Sequence, residues 1–244
     1  MGADLVNSAV RIDALRKRYG KLLALETVDL EVAPGEAFGL VGANGAGKTT
    51  LIKCLLDLCA YDSGSIRIFG LPADRPQSRR RLAYVPERFM PAHYLRGREF
   101  LEFLARSFDL RYEPARAQSM LRDLELDVGV LERPVRSLSK GMTQKLGLAA
   151  AFLLQRDLYV LDEPMSGLDP AARVAVKSVL RRLAAEGRTL FFTSHVLADV
   201  EELCSTIAVL EQGRVRWHGA PEGLCTKYGE LRLEQAFMRC IRGK

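Results

Sequence analysis

A glycine-rich octapeptide constrains the fold of this 244-residue chain more than any other feature. Residues 42–49 read Gly-Ala-Asn-Gly-Ala-Gly-Lys-Thr and fit the pattern G-x-x-x-x-G-K-[ST] at every fixed position. The octapeptide follows the apolar segment Ala37–Val41 and precedes residues 51–58, whose leucines and isoleucine have helical spacing. A strand, a glycine loop and a helix in this order predict an α/β fold with an anion-binding loop.

The residue types of this loop suit a chain of nucleotide phosphates. Glycines let backbone N–H groups approach the phosphates closely, and the following helix presents its positive end to the same anion. We expect Lys48 to contact the β- and γ-phosphates and the Thr49 hydroxyl to bind Mg²⁺. The predicted nucleotide-binding residues here are Gly42, Asn44, Gly45, Ala46, Gly47, Lys48, Thr49 and Thr50.

Two adjacent carboxylates, Asp162 and Glu163, end a second apolar segment at residues 158–161. In open α/β sheets, ligands lie at the carboxyl ends of the strands. We expect Asp162 to orient Mg²⁺ and Glu163 to accept a proton from the attacking water. Alone, the pair is more typical of a polar strand end before Pro164, but the phosphate loop upstream favours the catalytic interpretation.

A third segment, residues 138–145, distinguishes between classes of phosphate-loop enzyme. It opens a predicted helix, whose first turn offers free N–H groups and a positive dipole end to a second nucleotide. Taken alone, Ser139 is simply a good helix N-cap.

The order of these motifs resembles the nucleotide-binding subunit of ATP-binding-cassette (ABC) transporters over nearly the whole chain. Six family motifs are matched: Walker A at 42–49, the LSGGQ-type signature at 139–142, Walker B with its catalytic glutamate at 162–163, the D-loop at 166–169, the switch histidine at His195, and the adenine-stacking aromatic at Tyr19. In isolation, His195 is more typical of a helix-capping or core histidine, and Tyr19 of a half-buried strand aromatic.

The resemblance implies an ATPase that uses ATP and Mg²⁺. Its implied catalytic residues are Lys48, Glu163 and His195, and its implied metal ligands are Thr49, Asp162 and Glu87. Besides the phosphate loop, the implied nucleotide contacts are Tyr19, Glu87, Ser139, Lys140, Gly141, Met142 and Asp169.

Two motifs depart from the family pattern. The signature has Lys140 for the usual glycine and Met142 for the usual glutamine, and Glu87 replaces the Q-loop glutamine. Both variants are similar to those of the multi-component exporter branch, whose permease is a separate chain. Lys140 adds positive charge that would strengthen phosphate contact across a dimer, and Glu87 places a carboxylate near the Mg²⁺ and the γ-phosphate.

The implied partners are a membrane permease and a second copy of the chain, paired head to tail at the cytoplasmic face of the membrane. No nucleic acid is expected, because cassette ATPases that act on it usually add tandem cassettes, coiled coils or zinc modules. A phosphate-loop phosphotransferase is the other alternative, but it has no need of Ser139 or His195.

The implied fold is a P-loop NTPase (RecA-like) core with a parallel sheet, an N-terminal antiparallel β subdomain and a helical insertion. We predict one nucleotide-binding domain over residues 1–244, with the ATPase core at 1–87 and 156–244 and the helical subdomain at 88–155. Predicted strands lie at 25–32, 37–41, 65–70, 82–85, 158–161, 189–192, 207–210 and 214–217, and predicted helices at 96–107, 114–124, 139–155 and 171–186.

Several features exclude other classes. The longest nearly apolar run, residues 146–154, is far short of the roughly 20 residues that a membrane span needs. Residues 1–5 do not form the start of a signal peptide, and Val6 argues against myristoylation of Gly2. The five cysteines include no C-x-x-C pair, which predicts free thiols.

Overall fold

A computed structural model describes residues 8–243. The chain forms two sheets and nine α-helices within this range. The elements in order are β1 (Val10–Tyr19), β2 (Leu22–Val32), β3 (Ala37–Val41), α1 (Lys48–Leu55), β4 (Ser63–Ile68), β5 (Leu71–Pro72), α2 (Pro76–Arg79), β6 (Leu82–Val85), α3 (Gly97–Ser107), α4 (Pro114–Asp123), α5 (Lys140–Leu153), β7 (Leu158–Leu161), α6 (Pro170–Ala185), β8 (Thr189–Ser194), α7 (Leu197–Leu203), β9 (Thr206–Glu211), β10 (Arg214–Gly219), α8 (Pro221–Tyr228) and α9 (Leu233–Arg242).

The larger sheet has the strand order β10-β9-β3-β8-β7-β6. All its neighbouring strands are parallel except β9 and β10, which form an antiparallel pair. Both faces are covered, as strand β7 shows: Leu158 and Val160 pack into one hydrophobic cluster, Tyr159 and Leu161 into the other. A strand buried on both faces reads as a continuous apolar run, which explains why β7 was predictable from sequence.

The smaller sheet is antiparallel, with the order β2-β1-β4-β5. The apolar residues on its inner face, among them Val10, Ile12 and Ile66, pack with α1 against one face of the larger sheet. Strand β1 of this sheet ends at Tyr19. This arrangement confirms the predicted α/β fold with an N-terminal antiparallel sheet.

Helices α3, α4 and α5 follow β6 and cover the opposite face of the larger sheet. Two short 3₁₀ helices, Val128–Glu132 and Val135–Ser137, join α4 to α5. On α3, Phe100 and Leu101 are buried in the core, whereas Phe103 is 62% exposed. The apolar face of α3 therefore serves mainly core packing. The proposed boundaries at 87/88 and 155/156 stay a prediction.

Three sequence-based expectations were wrong or incomplete. Helix α1 ends at Leu55, so Leu58 lies outside it and is 63% exposed. Strand β1 was missed, because its alternation is interrupted at Ala14, which has a φ of 46° and lies where the register of both neighbouring pairings shifts. Strand β5 and helices α2, α7, α8 and α9 were missed as well.

Among residues 8–243, no helix combines the length and apolar character needed to cross a bilayer. The five cysteines are all free, as predicted. The predictions for residues 1–5 and for myristoylation of Gly2 concern a segment outside the described residues.

Candidate functional site

The site forms where three parallel strands end together. Strand β3 pairs with β8 through Val41 and Ser194, and β7 pairs with β8 through Leu161 and Phe192. The residues that follow these strands therefore meet at one edge of the sheet. They are Gly42 of the phosphate loop, the Asp162 and Glu163 pair, and His195.

Two glycines of the phosphate loop are required by its tight geometry. A Cβ at Gly42 would lie 2.3 Å from the carbonyl oxygen of Leu210, too close for any side chain. Gly47 has a φ of 113°, and a Cβ there would lie 2.7 Å from the carbonyl oxygen of Ala24. Helix α1 starts at the next residue, Lys48, so the loop delivers the chain directly into the positive end of a helix.

Lys48 is buried, and its ammonium group faces the loop. Its Nζ donates to the carbonyl oxygens of Gly42 at 2.7 Å and Ala43 at 3.3 Å. Burial lowers the pKa of Lys48, and the nearby carboxylates of Glu163, Asp162 and Glu87 act in the opposite direction. The result is a cation held among acidic groups, positioned to bind phosphate oxygens.

A buried threonine, Thr193, which no sequence motif had marked, bonds to both residues of the acidic pair. The Thr193 hydroxyl donates to Oδ1 of Asp162 at 2.7 Å and accepts from the backbone N–H of Glu163 at 2.8 Å. Burial raises the pKa of Asp162, and the hydrogen bonds from Thr193 and Thr49 oppose that rise. Thr193 therefore holds the Asp162 carboxylate and the backbone of Glu163 in place. Its only sequence signal was its place two residues before His195.

Glu163 and His195 contact each other directly. Nδ1 of His195 lies 2.8 Å from Oε2 of Glu163. The Glu163 side chain is largely buried, whereas that of His195 is more than half exposed. Glu163 has a φ of 48°, a left-handed conformation that costs a non-glycine residue about 1–2 kcal/mol. In this conformation the Glu163 carboxylate reaches the imidazole of His195.

These groups open into one cavity of about 700 Å³, within the size range of small-molecule sites. Tyr19, 45% exposed, forms one wall, and its ring lies 4.6 Å from Nζ of Lys17. The predicted site residues that line the cavity are Tyr19, Asn44, Gly45, Ala46, Gly47, Lys48, Thr49, Thr50, Glu87, Asp162, Glu163 and His195.

The signature residues 139–142 lie outside this cavity. Ser139 caps α5, where its hydroxyl accepts from the N–H of Met142 at 3.2 Å. A Cβ at Gly167 of the D-loop would lie 3.4 Å from Nζ of Lys140, so the lysine packs against its own D-loop. Asp169 caps α6 by accepting from the N–H of Ala172 at 2.9 Å.

The donor groups present suit Mg²⁺ bound together with phosphate. Residues 8–243 contain no cluster of three His, Cys, Asp or Glu side chains able to hold a metal by themselves. The Thr49 hydroxyl and the Asp162 carboxylate line the same cavity. A hydroxyl and one carboxylate leave several positions open for phosphate oxygens and water, the ligands that Mg²⁺ prefers in nucleotide sites.

Fold and site together define a P-loop nucleoside triphosphatase. The family model described as ABC transporter matches residues 25–166. The chain is 38% identical over 221 residues to the Nod factor export ATP-binding protein I of Paraburkholderia xenovorans, covering 89% of this chain and 72% of the relative. It is also 38% identical over 231 residues to the daunorubicin resistance ATP-binding protein DrrA2 of Streptomyces coeruleorubidus, covering 93% and 71%.

The structure is similar to that of an ATP-binding subunit of an ABC transporter, with a TM-score of 0.86 and 32% identity over 96% of this chain and 99% of the other. A dimeric post-hydrolysis state of an ATP-binding cassette with ADP and Pi shares the fold, with a TM-score of 0.78 and 21% identity over 86% of this chain and 98% of that one. The chain therefore belongs to the ABC transporter family, as an ATP-hydrolysing cassette subunit. It spans 68% and 57% of the lengths of two further curated relatives.

Proposed function

We propose that this chain powers export through a separate membrane permease, by pairing with a second copy around ATP and separating after hydrolysis. The observation that carries the proposal is the contact between Glu163 and His195 beside the phosphate loop. It places a proton acceptor and a second polar group at the end of the cavity where the terminal phosphate would lie.

The roles proposed for this chain's residues follow from their positions. Tyr19 stacks on the adenine, and the loop N–H groups with Lys48 hold the phosphates. Thr49 and Asp162 would hold Mg²⁺, which supplies charge compensation to the phosphates when bound, and Glu87 lies within reach of the same region.

Hydrolysis needs a base that faces the attacking water. Glu163 orients that water and accepts its proton as the water oxygen bonds to the γ-phosphorus and ADP leaves. His195 holds the Glu163 carboxylate in place through Nδ1 and senses the γ-phosphate. Thr193 keeps Asp162 and Glu163 in their separate orientations.

A second copy completes the site. Ser139 and Gly141 begin a helix that does not line the chain's own nucleotide cavity, so a nucleotide held by another copy is the proposed ligand of its first-turn N–H groups. Lys140, Met142 and Asp169 lie at the same end and would border that nucleotide. The dimeric cassette with the same fold supports this arrangement.

The proposed permease contact is a groove of about 480 Å³ between residues 87–93, which follow β6, and the segment that leads into α5. Glu87 lines both this groove and the nucleotide cavity, while Lys140 lines the groove from the signature helix. Met90, at the groove, is 78% exposed. A cytoplasmic loop of the permease that binds in this groove would place the chain at the cytoplasmic face of the membrane. Movement of that loop would then be coupled to Glu87 in the nucleotide cavity and to Lys140 in the signature. The direction of transport, export, is proposed from the name of the Nod factor export relative.

Glu163→Gln tests the hydrolytic role, because it keeps the shape of the side chain and removes its basicity. We expect ATP turnover to fall by about a thousandfold or more while ATP affinity stays within about twofold of wild type. Glu201→Gln, on the exposed face of α7, is the matched control and should hydrolyse ATP normally. A Glu163→Gln variant with the wild-type rate would remove Glu163 from the mechanism.

A further inference from the structure

Two cysteine sulfurs lie side by side behind the phosphate loop. Sγ of Cys54 is 3.5 Å from Sγ of Cys59. Cys54 belongs to the last turn of α1, and the chain reverses directly after that helix. The N–H groups of Leu58 and Cys59 both bond to the carbonyl oxygen of Lys53, at 2.8 and 3.3 Å, which brings Cys59 back over the helix end.

The second sulfur also contacts the nucleotide cavity. The Tyr19 hydroxyl lies 3.5 Å from Sγ of Cys59, and this hydrogen bond is the main cause that raises the pKa of Tyr19. Tyr19 is the cavity wall proposed to receive the adenine. Cys54, Cys59 and Tyr19 thus form a continuous chain of contacts from the core to the ligand site.

We propose that Cys54 and Cys59 form a reversible disulfide that weakens ATP binding by displacing Cys59 from Tyr19. The effect on ATP rests on the proposed role of Tyr19, whereas the formation of the bond does not.

The two thiols differ in access, which sets the order of oxidation. Cys54 is 1% exposed, and burial raises the pKa of its thiol to about 12, so it remains protonated at neutral pH. Cys59 is partly exposed and meets an oxidant first. Hydrogen peroxide transfers one oxygen to Cys59, giving the sulfenic acid and water. The Cys54 sulfur then bonds to the Cys59 sulfur, and the sulfenic hydroxyl leaves as water with the Cys54 proton.

Bond formation requires movement, and Cys59 is the residue free to move. An S–S bond is about 2.05 Å long, so the sulfurs approach by roughly 1.5 Å. Cys54 is fixed in a packed helix, whereas Cys59 lies in the turn that follows. Its displacement breaks the contact with the Tyr19 hydroxyl. We expect ATP affinity to fall about threefold, the effect of losing one weak hydrogen bond.

The disulfide is tested directly by mass spectrometry. Trypsin releases residues 54–67 as one peptide that contains both cysteines, so the bond makes this peptide lighter by two hydrogen atoms. Peroxide should produce that loss, dithiothreitol should reverse it, and Cys59→Ser should abolish it. Cys225→Ser, a partly exposed cysteine elsewhere in the chain, is the matched control and should leave it intact. Independent alkylation of both thiols after peroxide treatment would overturn the proposal.

The consequence for ATP is measured by titrating the reduced and oxidised forms with a fluorescent ATP analogue. Oxidation should weaken binding about threefold in the wild type and leave the affinity of Cys59→Ser unchanged. An unchanged affinity in oxidised wild type would overturn the link to Tyr19. The reduced protein tests the proposed function separately, because it contains no disulfide. If the reduced protein does not bind ATP, the proposed function is wrong whether or not the disulfide forms.

Discussion

The phosphate-loop edge and the signature segment differ in one respect: how many of their residues are required by contacts within a single chain. At the phosphate loop, the residues that define the motif have partners within the chain. Gly42 and Gly47 pack closely against the backbone, Lys48 donates to loop carbonyls, and Glu163 contacts His195. At the signature, Ser139 caps its helix, but Gly141 is not required by its surroundings. A Cβ there would lie 3.7 Å from Leu168, an ordinary contact.

This difference shows which interactions require the residue types of each segment. The phosphate loop is a half-site that is built by the fold, so its glycines are needed for folding and for binding alike. The signature is a helix end where Ser139 acts as the cap, whereas Gly141 is not required by its own chain. In this account, Gly141 leaves room for the nucleotide of a second copy.

Lys48→Ala should have the largest effect on the completed half-site. Its Nζ is the one cation that the described cavity lining places among the loop carbonyls and acidic groups, so its removal should weaken ATP binding about a hundredfold. Isothermal titration with ATP measures this. Lys53→Ala, exposed on the same helix, is the control and should bind normally; equal affinities of the two variants would contradict the assigned role.

Thr193→Val should come next. Valine matches the shape of threonine but leaves Oδ1 of Asp162 and the N–H of Glu163 without their shared partner, so we expect turnover to fall about thirtyfold. Thr189→Val provides the comparison, because that hydroxyl also accepts a backbone bond, from Gly35 at 2.9 Å, at the far end of β8. Both variants should lose similar stability in denaturant titration, and only Thr193→Val should lose activity.

A pair of glycine substitutions should show the smallest effect and the sharpest contrast. Gly42→Ala should destabilise the fold by about 1–3 kcal/mol, because its Cβ collides with the Leu210 carbonyl. Gly141→Ala should leave stability unchanged or raise it by up to about 1 kcal/mol, yet lower turnover about tenfold by crowding the second copy. Thermal unfolding and ATPase assays separate the two. Full activity of Gly141→Ala would remove the signature from the site.

Much of the fold was predictable from sequence because it depends on local patterns. Strands β3, β6 and β7 are short apolar runs bounded by turn residues, and their observed bounds equal the predicted ones. Strand β1 was not predictable, because the irregularity at Ala14 breaks its alternation. Helices α8 and α9 were not predicted, because no recognised motif lies in or beside them.

The candidate site divides in the same way. The phosphate loop and the acidic pair carry their chemistry in consecutive residues, and the structure brings them to one cavity. Thr193 was missed because its role depends on the pairing of β8 with β7, which places its hydroxyl between the Asp162 carboxylate and the backbone N–H of Glu163. No local pattern marks a threonine for that position.

The mass in solution of Glu163→Gln, measured by light scattering at saturating ATP, tests the central claim most directly. The account predicts twice the mass of a single chain with ATP and the mass of one chain without it, because ATP holds two copies together when it is not hydrolysed. A protein that binds ATP fully and still has the mass of one chain would contradict it.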